Sequence, residues 1–208
     1  MKLFHVINGL LRVNSYYLVN EQTGGAVVID PGENYNRVKS TEKECGFTVK
    51  AVLLTHAHFD HAGTAKKLQD DGAKIYISDI DAPKLHNDDN LGKMFGRRFN
   101  EDCFADFTFK DGDILDVEGF KIKALLTPGH TDGSACFILD NMLFSGDTLF
   151  CESVGRTDFP TGNHNDLVSS VLRLFSLSGE YDVYPGHEQF TTLSHERKYN
   201  TFVDFEKK

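Results

Sequence analysis

The 208-residue chain is poor in what a zinc knuckle or a disulfide scaffold needs: it has four cysteines, Cys45, Cys103, Cys136 and Cys151, and no Cys-x-x-Cys pair. Reduced thiols, most of them packed as small apolar groups, are the expectation. No Pro/Ser/Gly-rich linker and no low-complexity run interrupts the sequence, so one domain spanning residues 1–208 is expected. No apolar stretch reaches membrane length, and Arg12 and Asn14 interrupt the apolar residues after Leu10 before a secretory segment could form. A cytoplasmic protein without a membrane partner is the resulting expectation. Cations are also scarce, 22 Lys and Arg against 31 Asp and Glu for a formal net charge of −9. That balance argues against a nucleic-acid partner, because phosphate-backbone binding depends on Lys and Arg. The oligomeric state stays open.

What the sequence has instead is Thr55-His56-Ala57-His58-Phe59-Asp60-His61, three imidazoles and a carboxylate within six residues. Residues two apart on an extended segment point the same way, so His56 and His58 can face one cation from the end of a strand. Four ligands exceed the three protein groups that a catalytic zinc usually takes. A second cation beside Asp60 and His61 is the natural consequence. Further candidates stand where other β-like runs stop. Leu125-Leu126-Thr127-Pro128-Gly129-His130 repeats the pattern of Leu53-Leu54-Thr55-His56-Ala57-His58, an apolar run, then Thr, then His three positions on. Two more runs end in Ser145-Gly146-Asp147 and Pro185-Gly186-His187. Gly or Pro beside each of these groups supplies the sharp turn that aims it.

The hydrophobic pattern predicts strands over Tyr16–Asn20, Ala26–Asp30, Val49–Leu54 and Lys74–Ser78, and a strand-rich stretch from Phe107 to Asp147. Helices are predicted near Tyr35–Cys45, closed by Gly46, over Ala62–Asp71 and over Asp79–His86. Leu167, Val168, Val171, Leu172, Leu174 and Phe175 form a stripe at helical spacing, read as core packing against a sheet.

Taken together, Thr55–His61, Thr127–Thr131, Gly146–Thr148 and Pro185–His187 resemble the metallo-β-lactamase superfamily over nearly the whole chain. The resemblance implies an α/β fold, an αββα sandwich of two mixed sheets flanked by helices. It also implies that His56, His58 and His130 hold one metal, that Asp60, His61 and His187 hold a second, and that Asp147 bridges them. Zinc is the expected ion, and iron or manganese suits the same donors. Five neutral imidazoles, two carboxylates, two dications and one hydroxide sum to about +1, so an acidic exterior does not forbid an anionic substrate.

Metal-bound imidazoles need an acceptor for the second ring N–H, and Asp30, at the end of Val27–Ile29, is a candidate; a turn-capping role is the alternative. Thr55, Thr127 and Thr131 are read as strand-end hydroxyls that satisfy backbone groups. Val154-Gly155-Arg156-Thr157-Asp158-Phe159-Pro160, Tyr184-Pro185-Gly186-His187 and Thr192-Leu193-Ser194-His195-Glu196-Arg197 narrow the resemblance to short glyoxalase II-like hydrolases that lack a helical carboxy-terminal domain. Arg156 and Asp158 are there either a buried ion pair or hydrogen-bonded turn that shapes the loop, or contacts to a metal ligand or a substrate carboxylate, for which Arg offers a bidentate fork. The implied activity is hydrolysis of a small-molecule thioester, of the lactoylglutathione kind, by a metal-bridging hydroxide that Asp60 orients. A persulfide dioxygenase with a single iron is the runner-up, and a lactonase of the same superfamily is a further alternative. Exported zinc β-lactamases, which lack an Asp at the bridging position, are set aside. The segment 88–104, with Lys93, Phe95, Arg97, Arg98 and Phe99, is expected either to wall the substrate groove or to cover the sheet as a solvated face. Cys151, soon after Asp147, falls near these groups or packs as a core thiol.

Overall fold

The computed structural model describes residues 1–97 and 102–202. Six strands form the first sheet in chain order: β1 (Lys2–Asn8), β2 (Val13–Val19), β3 (Gly25–Ile29), β4 (Thr48–Leu53), β5 (Lys74–Ser78) and β6 (Phe107–Phe109). The first three pair antiparallel and the rest parallel. The second sheet begins with the antiparallel run β7 (Ile114–Val117), β8 (Phe120–Leu126), β9 (Ala135–Leu139) and β10 (Met142–Gly146). A small hairpin of β11 (Leu149–Phe150) and β12 (Ser153–Val154) follows. Then β13 (Asp182–Pro185) lies parallel to β10, and β14 (Thr191–Thr192) closes the edge.

Strand alternation explains the layering. In β2, Tyr16 and Leu18 face the space between the sheets while Tyr17 and Val19 face away; in β3, Val27 and Ile29 face in, Ala26 and Val28 out. On the opposing sheet Ala135 and Phe137 point inward and Cys136 outward. Both faces of these strands are buried, which requires a helical cover on each outer side. The helix α1 (Tyr35–Cys45) packs Val38 into the outer core of the first sheet, and α4 (His164–Phe175) packs Leu167, Val171 and Leu174 into that of the second. The helix α1 starts on the Asn34 side chain, which accepts from the Arg37 N–H, and stops at Gly46 in the left-handed region. The fold is the expected αββα sandwich.

Several boundaries differ from expectation. The strand β1 was not predicted, and β2 begins at Val13, because Asn14 and Ser15 are polar residues buried inside the strand. Asn14 is satisfied there by donating to the Pro185 and Glu188 carbonyls, at 3.0 Å each. The predicted helix Ala62–Asp71 starts later, as α3 (Ala65–Asp70), and a separate short helix, α2 (Phe59–Ala62), precedes it. The break falls at Gly63, where a Cβ would lie 2.5 Å from the Phe59 carbonyl oxygen and 3.0 Å from the Glu33 Cα. The predicted helix Asp79–His86 is a turn followed by a 3-10 segment, Ala82–His86. Its first residues are committed elsewhere: Asp81 accepts from the Ala57 N–H and the Thr131 hydroxyl and pairs with Lys84. The last helix is α5 (Leu193–Tyr199). Among the described residues no helix is long and apolar enough to cross a membrane.

Candidate metal centre

The chain leaves β4 through Thr55 and puts His56 and His58 at the end of the sandwich where the sheets meet. Ala135 N–H donates to the Thr55 carbonyl there at 2.8 Å, tying the second sheet to this exit. Asp60 and His61 follow on α2, His130 on the loop after β8, Asp147 after β10 and His187 after β13. All seven side chains named from the sequence converge. His56 and His61 are fully enclosed, and His58 and His130 are 3% exposed. His130 Nε2 lies 2.9 Å from His58 Nδ1. His61 Nε2 lies 3.3 Å from His187 Nε2, which is 3.3 Å from Asp60 Oδ2. Asp147 stands between these pairs, Oδ1 3.4 Å from His61 Nε2 and Oδ2 3.5 Å from His130 Nε2. The donors fall into three overlapping sets, His56/His58/His130, His56/His61/Asp147 and Asp60/His61/His187, each within 4.8 Å.

A second layer fixes which ring nitrogen points inward. Asp30 Oδ2 lies 2.8 Å from His61 Nδ1, and the Arg156 carbonyl lies 2.8 Å from His130 Nδ1. Each acceptor takes the Nδ1–H, so both Nε2 lone pairs are left facing the cluster. Asp30 also accepts from the Thr55 N–H at 2.9 Å and from its hydroxyl at 2.7 Å, while that hydroxyl lies 3.1 Å from His56 Nδ1. The backbone of Asp30 is left-handed, φ 50°, which turns its carboxylate back toward these groups. Thr127 meets Thr148 at 2.8 Å, and Thr131 donates to Asp81. Asp81 escaped the sequence reading because its partners, the Ala57 N–H and the Thr131 hydroxyl, are distant in sequence and adjacent only after folding.

Close backbone approach sets another requirement. A Cβ on Gly186 would lie 2.3 Å from Asp147 Oδ1 and 2.8 Å from His61 Cε1, so only glycine fits beside His187. The Tyr16 hydroxyl donates to the Pro185 carbonyl at 2.6 Å and anchors the same loop.

The donors fit divalent cations. His56 Nε2 and Asp147 Oδ1 are buried with no hydrogen-bond partner among the described residues, and His58 Nδ1 and His130 Nε2 face each other at 2.9 Å. Buried polar atoms are rarely left so, and lone pairs aimed at one another are stable only around a positive charge. Burial holds His56 and His58 well below the usual imidazole range. At His61 burial also opposes the charge, yet the carboxylates of Asp147, Asp60 and Asp30 outweigh it and raise the group to about 10. The carboxylates thus favour positive charge inside a buried site, which a dication would supply in place of the His61 proton.

Above the donors opens a cavity of about 710 Å³ whose walls include Ile7, Leu11, Leu91, Phe95, Phe150 and Phe159. Arg12 and Glu188 are on the same walls. Arg156 and Asp158 form an exposed bidentate ion pair, both contacts at 2.6 Å, with the guanidinium 3.8 Å above the Phe159 ring. The expected buried ion pair is corrected accordingly, and Arg156 reaches His130 through its carbonyl. Of the segment 88–104, Leu91 and Phe95 wall the cleft, but Arg97 pairs with Glu33 in a neighbouring groove and Lys93 pairs with Asp88. Arg98 and Phe99 lie outside the described residues. Cys151 is half-buried, Cys103 and Cys136 are buried, and Cys45 is exposed.

Residues 8–187 match the metallo-beta-lactamase superfamily, and the chain belongs to it. A probable metallo-hydrolase of Streptococcus pyogenes is 38% identical over 97% of this chain and 90% of its own. The hydroxyacylglutathione hydrolase GloC of Haemophilus influenzae is 34% identical over 90% of this chain and 91% of its own. Among solved structures, a protein crystallised in a di-iron-bound form superposes with a TM-score of 0.85 at 34% identity, covering 96% of this chain and 99% of that one. ETHE1 from Myxococcus xanthus gives 0.83 at 29% identity, over 98% and 85%. The BLEG-1 B3 metallo-beta-lactamase gives 0.90 at 30% identity, over 97% and 99%. Overall shape therefore does not separate these activities; the donors and the cleft must.

Proposed function

We propose that the chain is a binuclear metallohydrolase that cleaves a small-molecule thioester of the lactoylglutathione kind. The observation that carries this reading is the convergence of seven donor side chains, in three overlapping sets, at the floor of a largely apolar cleft. The likeness to GloC of Haemophilus influenzae, named a hydroxyacylglutathione hydrolase, supports the substrate class. The likeness to a di-iron-bound protein supports two metals where the runner-up dioxygenase needs one.

His56, His58 and His130 would hold one cation and Asp60, His61 and His187 the other, with Asp147 shared. Such cations lower the pKa of water and polarise a carbonyl. The chain's own residues do the rest. Asp60 orients the attacking water. The apolar walls take up the acyl group and exclude bulk solvent, and Asp30 and the Arg156 carbonyl hold His61 and His130 in the required tautomers. Departure of the thiolate needs no general acid, because a thiol pKa near ~8.5 makes it a good leaving group. Arg12 and Glu188, with no ion-pair partner among the described residues, are the wall charges that meet the polar part of the thiol carrier.

The test is hydrolysis of lactoylglutathione by the zinc-, iron- or manganese-loaded protein, with and without oxygen. Oxygen-independent release of the thiol is the expected result. Oxygen consumption with a persulfide, or cleavage of a lactone or a β-lactam in place of the thioester, would replace this reading.

A further inference from the structure

Outside the seven-donor cluster, at the turn between β11 and β12, a thiol, a carboxylate and an imidazole meet. The donor atoms of Cys151, Glu152 and His195 all lie within 4.8 Å of one another. His195 Nε2 is 2.9 Å from Glu152 Oε1, and Gln189 Nε2 donates to Cys151 Sγ at 3.2 Å. The frame around them is fixed. Glu152 N–H donates to Glu196 Oε2 at 2.8 Å, and Glu196, wholly buried on α5, accepts from Asn200 at 2.9 Å and Thr191 at 2.6 Å. Asn200 in turn donates to the Ser153 carbonyl at 3.0 Å, so turn and helix behave as one unit.

Cys151 differs from the chain's enclosed thiols. Burial pushes Cys103 and Cys136 up to about 11, which leaves them protonated and inert, whereas Cys151 is half-buried and faces two further donors. Cys45 is exposed and belongs to no such group among the described residues.

We propose that Cys151, Glu152 and His195 form a separate mononuclear site for a thiophilic divalent cation such as Zn²⁺. A thiolate, an imidazole and a carboxylate are a donor set that zinc accepts, with water in the fourth tetrahedral position. Zinc bonds of about 2.0–2.3 Å place donors roughly 3.5 Å apart, so the present spread closes by small side-chain rotations. Binding releases the Cys151 thiol proton and replaces the Glu152–His195 hydrogen bond by two metal bonds. Phe150 and Gln189 line the cleft and flank Cys151, so a cation here pins one wall of the cleft to α5.

Titration of the full chain with Co²⁺ tests the site. The seven-donor cluster has only nitrogen and oxygen donors, so a thiolate-to-cobalt charge-transfer band reports Cys151 alone. In the wild type the saturated band should have the amplitude of one cobalt-bound thiolate per chain, whatever cobalt the seven-donor cluster takes up besides. Cys151→Ser should lose it while still taking up cobalt through the nitrogen and oxygen donors, and Cys45→Ser should keep it. His195→Ala should weaken the band's cobalt affinity at least about tenfold, since even outer contacts to a metal ligand are worth about 10–100-fold. Absence of the band in the wild type, its survival in Cys151→Ser, or unchanged affinity in His195→Ala would overturn the proposal. None of these readouts depends on turnover, so a failure here is distinguishable from a failure of the thioester reading.

Discussion

On the floor of the cleft His56, His58, His61 and His130 are at most 3% exposed, whereas on its walls Ile7, Leu11 and Phe95 are 43–44% exposed. Floor groups sit at strand ends and are oriented by Asp30, the Arg156 carbonyl and Asp81. Wall groups come from the end of β1 and the turn after it, from the segment around Leu91–Phe95, and from Phe150 and Phe159. Precise placement matters most where metals and a reacting carbonyl must be aligned, while recognition of a substrate tolerates a looser surface. In the proposed function the floor would set the reaction and the wall would select what is brought to it.

The largest effects are expected on the floor. Asp60→Ala or His58→Ala should lower kcat by at least about a thousandfold, as loss of a group acting with a metal does, while circular dichroism shows a folded chain. Full activity after metal loss in either variant would remove these residues from the chemistry. Gly186→Ala drives a Cβ into Asp147 and His61, and elemental analysis should find less than the wild-type metal content. Unchanged content would mean that the loop tolerates the displacement. Asp30→Asn keeps the shape of the side chain but weakens the acceptor for His61, and metal affinity should fall by about 10–100-fold.

On the wall the effects should be smaller and confined to KM. Arg12→Glu should raise KM for an anionic thioester by about fivefold, in line with the ~1 kcal/mol that an exposed charge contact is worth. Arg97→Glu, in the neighbouring groove, should leave KM unchanged. If Arg97→Glu has the larger effect, the wall has been assigned to the wrong groove.

The same contrast governs what could be read before folding. His56, His58, Asp60 and His61 lie in one short motif, and His130, Asp147 and His187 each follow an apolar run beside Gly or Pro, so local sequence carries all seven. The strand cores of β2 from Tyr16 onward, β3, β4 and β5, and the helix α1 closed by Gly46, were legible for the same reason. Asp81 was hidden inside an apparent helix because its partners are the backbone of Ala57 and the side chain of Thr131, both far away in sequence. Arg156 was noticed for its charge, yet its carbonyl is what touches His130, and backbone roles leave no residue-type signal. The start of β2 was obscured because Asn14 and Ser15 look like loop residues until the Pro185 and Glu188 carbonyls, for Asn14, and the Asp30 carbonyl, for Ser15, supply their partners.

The most direct test is elemental analysis of Cys151→Ser protein after metal loading and exhaustive dialysis, which removes the proposed thiolate site from the count. Two cations retained per chain is the expected result. One or none retained would contradict a binuclear floor.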